Sequence, residues 1–284
     1  MTNVPLSDLP DDEKSQRASS FGGVAENYDS FRPAPADAAI DWILGGRRLG
    51  AAIDLGAGTG ACTRLLLAHA DQVTAVEPDA RMREILRQEV RGATVLEGRG
   101  ESIPLPDASV DAVFASSSWH WMEPGQTLSE VARVLRPGGQ LGVLWSGPDL
   151  ESPFMVQARS LMEAQPLDAY PATDDGGSNG ADETLANSVL VEADRPSSTL
   201  VIPASRSSLF AEPELAEFRQ DLPLTADQLI GLMGTMSLFI LMPEDRRLRI
   251  FGEARRLLKE ALGVEGPVTV DVTFKTEAWR SKAI

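Results

Sequence analysis

The chain has one cysteine and two histidines among 284 residues, and each scarcity excludes a class of chemistry. With Cys62 alone, neither an intrachain disulfide framework nor a cysteine-built zinc site can form, and no metal is expected. Basic side chains are also in deficit. Lys and Arg number 26 against 42 Asp and Glu, a formal net charge of −16. A surface of that sign repels nucleic-acid phosphates and anionic lipid. No Lys/Arg cluster is interleaved with aromatic residues, so neither nucleic acid nor a membrane is expected as a partner. No uninterrupted apolar run approaches membrane-spanning length. The amino terminus, MTNVPLSDLPDDEKSQ, is acidic and lacks the apolar core of a signal peptide. A soluble, cytoplasmic protein is the expectation. Internal repeats are absent too.

What is present is a sizeable apolar fraction, 43%, and a regular alternation of patterns. The length allows one large domain or two small ones. After an acidic arm over residues 1–20, a helical pattern runs from Phe21 to Leu44 with a break at RPAP. AAIDLGAGTG then reads as a buried strand meeting a glycine turn. ACTRLLLAHA continues as a helix. QVTAVEP is a second strand and DARMREILRQEV a second helix, with Asp79 as N-cap. ATVLEG and VDAVFASSS are the third and fourth strands. GQTLSEVARVLRPGG is a helix stopped by Pro137 and two glycines, and QLGVLWS is a fifth strand.

Strands alternating with helices predict a doubly wound α/β fold, a parallel sheet covered on both faces. The strands are nearly continuous apolar runs, as burial on both faces requires. Ligands in such sheets sit beyond the carboxyl ends of the strands. That rule gathers the glycine turn, Glu77, the segment after Gly98 and the SSSWHW segment on one rim.

Beyond Trp145 the pattern loosens. FMVQARSLMEAQ reads as a helix, and the acidic, glycine-rich stretch near 173–183 as a loop. LAEFRQDLPL reads as a strand. TADQLIGLMGTMSLFILM opens on a capping box, Thr225 with Gln228, and reads as one apolar helix. PEDRRLRIFGEARRLLKEAL is amphipathic, with Leu248, Phe251, Leu257 and Leu258 on one side. PVTVDVTFKTEAW alternates as a strand, with Val268, Val270, Val272 and Phe274 on one face.

The turn DLGAGTGA holds Gly56, Gly58 and Gly60, which let backbone amides approach a ligand. Glu77 ends the next strand, where a carboxylate can accept both hydroxyl protons of a ribose. Gly56, Gly58 and Ala61 also satisfy the loose dinucleotide pattern G-x-G-x-x-G/A. Asp54, just before the turn, argues against a pyrophosphate and suits a cationic amino-acid tail. No Lys or Arg within the turn would offset phosphate charge.

These segments, with VTAVEPDARM, GRGESIPLPDASVDAV and VARVLRPGGQL following in order, resemble a class I S-adenosylmethionine-dependent methyltransferase over roughly residues 20–146. The resemblance implies a Rossmann-like sheet of seven strands with the last antiparallel, and a helical cap in the C-terminal half. It implies one domain over 21–284. Within it lie a lid (21–50), a cofactor-binding core (51–146), an acceptor cap with the sixth strand (147–266), and a final strand and tail (267–284). S-adenosyl-L-methionine is the implied cofactor.

Carried over by position, Asp54 with Gly56, Ala57, Gly58 and Gly60 would hold the methionine part. Glu77 would take the ribose, with Pro78 and Met82 beside the adenine and Gly100, Glu101 and Ser102 at its edge. Many relatives have an acidic residue where Arg99 stands, which puts an adenine-amino contact there in doubt; Glu101 is the candidate substitute. The plain alternative for Glu77 and Glu101 is a solvated carboxylate. FGGVAENYDSFRP resembles the lid of small-molecule members, so Tyr28 and Arg32 would fold over the cofactor, or else pack the first helix.

SSSWHW follows the fourth strand at the same rim. Ser116 and Ser117 are candidate cofactor contacts. Trp119 and Trp121 are candidates for the acceptor pocket, although strand alternation would direct only one of them inward. His120 is the catalytic candidate. It has three open roles: proton acceptor, hydrogen-bonding pocket wall, or structural histidine. His69, at a helix end, reads as a surface residue. Met233, Met236 and Phe239 are candidate acceptor contacts, against the alternative that their helix is core. The expected function is methyl transfer to a small, moderately hydrophobic acceptor, foremost at oxygen, by in-line displacement. A cofactor-binding protein without methyl transfer and an NAD-type oxidoreductase are the alternatives. Oligomeric state is not legible.

Overall fold

The computed structural model describes residues 33–157, 208–235, 239 and 243–284. The acidic arm, the lid residues Tyr28 and Arg32, the loop near 173–183, most of FMVQARSLMEAQ, and Met236 lie outside the described residues.

Among these residues α1 spans Asp37–Leu44, β1 Leu49–Leu55, α2 Ala61–His69, β2 Ala70–Val76 and α3 Ala80–Glu89. Then come β3 (Thr94–Leu96), β4 (Val110–Ser116), a 3-10 turn at Trp119–Trp121, α4 (Pro124–Val134) and β5 (Leu135–Pro148). The C-terminal half adds β6 (Glu214–Thr225), α5 (Ala226–Gly234), α6 (Glu244–Leu262) and β7 (Thr269–Lys282). The strands form one sheet in the order β3-β2-β1-β4-β5-β7-β6. Strands β1 to β5 pair in parallel, and β7 runs antiparallel between β5 and β6. This is the seven-stranded, Rossmann-like sheet expected, with the final strand reversed.

Helices cover both faces. On one, Leu128, Val131 and Val134 of α4 pack against Ile53, Leu55, Val113 and Leu141. On the other, Ile40, Ile43 and Leu44 of α1 and Leu66 of α2 pack against Ala52, Phe114 and Leu144. Each fully buried side chain of this kind contributes about 1.5–3 kcal/mol. Chain reversal at β1 requires its neighbours to lie on opposite sides, β2 and β4, which opens the crevice at the C-terminal ends of β1 and β4.

Local chemistry explains the helix starts. The Asp79 side chain accepts hydrogen bonds from the Arg81 and Met82 N–H groups and caps α3. Glu123 caps α4 in the same way, ahead of Pro124. Thr225 and Gln228 close the expected capping box on α5. Thr225→Ala is expected to cost about 1 kcal/mol in a denaturant titration. A cost below about 0.2 kcal/mol would contradict the box.

Several boundaries differ from the periodicity. Helix α4 ends at Val134, not at Pro137: Leu135 is already extended at φ −71° and ψ 138°, where β5 begins. The run read as one helix from 225 to 242 ends its first helix at Gly234, where Thr235 Oγ1 donates to the Leu232 carbonyl at 2.7 Å. On α6 the inward stripe is Ile250, Phe251, Ala254 and Leu258, while Leu248 is exposed. Val268 precedes β7 and is exposed; the inward face is Val272, Phe274, Thr276 and Ala278. His69 is not a free surface residue. Packing of α1 beside the end of α2 sets its Nε2 2.9 Å from Asp37 Oδ1 and its Nδ1 3.4 Å from Asp41 Oδ1.

Candidate functional site

The site is built where four chain segments meet. Strand β1 ends in the glycine turn, with Gly56, Gly58 and Gly60 all at positive φ. The Gly56 and Ala57 N–H groups donate to the Val76 carbonyl at 2.8 and 3.2 Å, tying the turn to the end of β2. A methyl group on Gly56 would lie 2.6 Å from Ser118 Cβ and 3.2 Å from Met122 Cε. Only a glycine lets the turn and the SSSWHW segment approach this closely. Ser118 completes the contact by donating from Oγ to the Leu55 carbonyl at 2.7 Å.

Met122 reaches the third segment. A methyl on Gly100 would lie 2.6 Å from Met122 Sδ and 2.8 Å from Thr127 Oγ1. Glu101 then accepts the Glu123 N–H on Oε1 at 2.6 Å. Its carboxylate thus holds the start of α4. Arg99 and Ser102 form an isolated bridge that closes the same loop.

Glu77, at the end of β2, is buried and doubly held. Its Oε2 accepts from Gly58 N–H and its Oε1 from Asp79 N–H, both at 2.9 Å. Burial raises its pKa, and the two amide bonds oppose that rise. A carboxylate has about four acceptor positions, so two remain for a ligand. Pro78 is exposed beside it, and Met82 is buried at the start of α3.

Asp54 is 1% exposed. Its Oδ2 accepts from Thr63 Oγ1 at 2.6 Å, while its Oδ1 accepts no hydrogen bond. Burial, reinforced by the nearby Glu77 charge and opposed by the Thr63 hydroxyl, pushes its pKa up to about 6. A carboxylate in this position lacks a countercharge. It is closed off from solvent beneath the turn.

The third wall is the turn after β4. Ser116 is the last residue of that strand, paired with Leu144. Ser117 adopts φ +51°, a conformation rare outside glycine. Its N–H donates to the Leu144 carbonyl at 2.8 Å. This sharp turn launches the Trp119–Trp121 3-10 helix. Trp119 packs onto the core beneath α4. Trp121 instead lies against His120, with ring centroids 4.5 Å apart, and Trp145 flanks His120 at 4.8 Å. The expected split, one tryptophan in the core and one not, is found, although a 3-10 turn rather than a continuing strand sets the two directions.

The candidates farther along the chain are placed differently. Met233 packs on the cluster formed by α5, α6 and β7, and Phe239 is fully buried against Phe251 at 5.4 Å. Both were candidates for the acceptor, with the core as the alternative, and the structure packs Phe239 fully and Met233 partly into that core. Sequence reasoning also missed Ser118, Met122, Thr63 and Trp145. Thr63 had a signal, since the third residue of the helix after a glycine turn points back toward the strand it follows. Ser118 had none, because three consecutive serines offer no local means of choosing among them.

Residues 53–143 match the family described as Methyltransferase domain. That match covers about a third of the chain, and over it the chain is similar to methyltransferase domains. An uncharacterized methyltransferase of Mycobacterium tuberculosis is 45% identical over 132 residues, 46% of this chain and 53% of that protein. A malonyl-[acyl-carrier protein] O-methyltransferase of Methylococcus capsulatus is 35% identical over 147 residues, covering 48% of this chain and 53% of that protein. The chain thus spans about half the length of these relatives. A solved structure, a putative type II methyltransferase from Anaeromyxobacter dehalogenans, shares the fold at a TM-score of 0.57 and 23% identity, over 89% of this chain and 98% of that one.

The matched stretch contains the four segments described above. They fit the cofactor of the family: a buried carboxylate without a countercharge lies below the turn, and a carboxylate with spare acceptor positions lies beside it. Among the described residues no cluster of His, Cys, Asp or Glu is placed to hold a metal ion, and no helix is long and apolar enough to cross a membrane. Two predictions follow from the carboxylates. Glu77→Ala is expected to weaken S-adenosylhomocysteine binding by about tenfold or more, as for a lost hydrogen bond to a charged group. Unchanged affinity in calorimetry would refute the ribose assignment.

Asp54→Asn is expected to weaken that binding by about tenfold and to flatten its pH dependence. The folded pKa of Asp54 lies above its unfolded value, so ionising it opposes folding. That penalty is absent below pH 3.8, grows as the pH rises, and is complete above about 6. Between pH 5 and 7.5 the parent should therefore lose roughly 1 kcal/mol of stability relative to Asp54→Asn. Parallel stability curves for the two proteins would contradict the buried, uncompensated charge.

Proposed function

We propose that the protein transfers a methyl group from S-adenosyl-L-methionine to an oxygen of a small-molecule acceptor. The observation that carries the reading is the junction between the glycine turn and the SSSWHW turn. Ser118 is bonded to the end of β1 beside Gly56, and His120 stands two residues further along. The group predicted to hold the cofactor and the group predicted to receive a proton therefore share one wall.

S-adenosyl-L-methionine would supply a methyl already activated by a positively charged sulfur. The chain's part is to bind, align and keep water out. Glu77 and the backbone of Gly56, Ala57, Gly58 and Gly60 orient the ligand, with Asp54 contributing negative potential. Pro78, Met82, Gly100 and Ser102 bound the adenine side, and Ser116 and Ser117 line the approach to the reacting carbon. For an acceptor hydroxyl, His120 would receive the proton released as the oxygen takes the methyl. An ionised carboxylate acceptor would need no such base. Methylation at oxygen is supported by the name of the Methylococcus relative. With Met233 and Phe239 in the core, the acceptor wall is assigned to Trp121 and Trp145, and the acceptor need not be strongly apolar.

The test is radiolabelled methyl transfer. The full chain, labelled S-adenosylmethionine and a small-molecule extract should yield a labelled product whose methyl ether or ester is identified by mass spectrometry. Binding of the cofactor with no labelled product would favour a cofactor-binding role without catalysis. A product methylated only at carbon or nitrogen would overturn the choice of oxygen.

A further inference from the structure

We propose that Trp145 is a positioning residue that holds the His120 imidazole in its orientation toward the reacting carbon. The proposal rests on His120 being the proton acceptor of the reaction above. The β4–β5 ladder fixes the relation between the two residues. Ser116 pairs with Leu144, and the Ser117 N–H extends the ladder by donating to the Leu144 carbonyl at 2.8 Å. Trp145 is therefore the next residue of β5 at the point where β4 gives way to the 3-10 turn.

Its ring meets that of His120 edge to face, at 4.8 Å and an interplanar angle of 73°. Trp121 bears on His120 at 4.5 Å and 48°. The His120 ring thus has an indole from its own turn and a second from a neighbouring strand. The turn itself is pinned from below by the Ser118 bond to Leu55 and by Trp119 in the core. Trp145 is rigidly mounted, because β7 pairs with β5 along its length and sets Glu277 opposite it. An aromatic neighbour restricts rotation of the imidazole and shields it from water. A proton acceptor gains from both, since one ring nitrogen must point at the acceptor.

The chain's two histidines make the test direct. Full-length protein labelled with [15N]histidine gives two sets of imidazole signals, assigned through His120→Ala. In Trp145→Ala the His120 signals are expected to move toward those of free histidine, while the His69 signals stay in place and report an intact fold. Trp145→Phe should keep most of the displacement. With labelled S-adenosylmethionine and the extract as probes, Trp145→Ala should lower turnover about tenfold. Its KM for the cofactor should remain within about twofold of the parent value. Added to His120→Ala, it should lower turnover by less than about twofold. Unmoved His120 signals, or a full further loss in the double variant, would overturn this proposal alone. Parental turnover in His120→Ala would overturn the His120 reading and this proposal with it.

Discussion

Gly56→Ala is expected to weaken S-adenosylhomocysteine binding by about a hundredfold or more and to destabilise the fold by about 2–4 kcal/mol. Two costs combine. The backbone at Gly56 has φ +68°, where an L side chain costs about 1–2 kcal/mol. The added methyl would also lie 2.6 Å from Ser118 Cβ and 2.9 Å from Ser118 Oγ. Neither atom is the free end of a flexible chain, because Ser118 Oγ is bonded to the Leu55 carbonyl. The turn after β4 must therefore move away from the glycine turn, and a displacement of this size between binding groups costs about a hundredfold. Gly45→Ala is the control. Gly45 has φ +62° at the end of α1, and a methyl there meets nothing within 4 Å. It should cost about 1 kcal/mol and leave binding unchanged. Equal effects from the two variants would show that close packing at Gly56 has no part in binding.

His120→Ala is expected to lower turnover about a hundredfold while cofactor affinity stays within about twofold, the pattern of a lost proton acceptor. The split matters more than the size. A histidine that only walls the cofactor would raise the cofactor's dissociation constant, and a structural one would lower the thermal midpoint instead. Its ring contacts with Trp121 and Trp145 make a loss of up to about 1.5 kcal/mol in stability compatible with the catalytic role. Turnover equal to that of the parent would remove His120 from the chemistry.

The two variants act on features that the sequence revealed to different degrees. Glycine spacing and the strand–helix alternation placed β1, the turn and β2 correctly, because parallel strands buried on both faces leave continuous apolar runs. Asp79 and the Thr225–Gln228 box were equally visible, since caps act within one turn of helix. The reversed β7 followed only from the resemblance; nothing in an alternating strand states its direction. Leu248 and Val268 were misplaced because periodicity continues past the point where a neighbour is present to cover it.

Within the site, residue types were legible and partners were not. Asp54 was read as the partner of a cationic ligand; that tertiary packing buries it beneath the turn with Thr63 as its hydrogen-bond donor was not legible. Glu101 was read as a substitute adenine contact; its Oε1 bond to the Glu123 N–H, 22 residues away, was not legible. Ser118, rather than the two serines before it, joins the rim together. Such assignments depend on which side of a turn the chain leaves, and a positive φ at Ser117 decides that.

The most direct test of the central claim, that these walls form an S-adenosylmethionine site, is calorimetric titration of the full chain with S-adenosylhomocysteine and separately with NADH. The account predicts saturable binding of S-adenosylhomocysteine at one site per chain, weakened about tenfold by Glu77→Ala, and no binding of NADH. Saturable NADH binding without any heat from S-adenosylhomocysteine would contradict it.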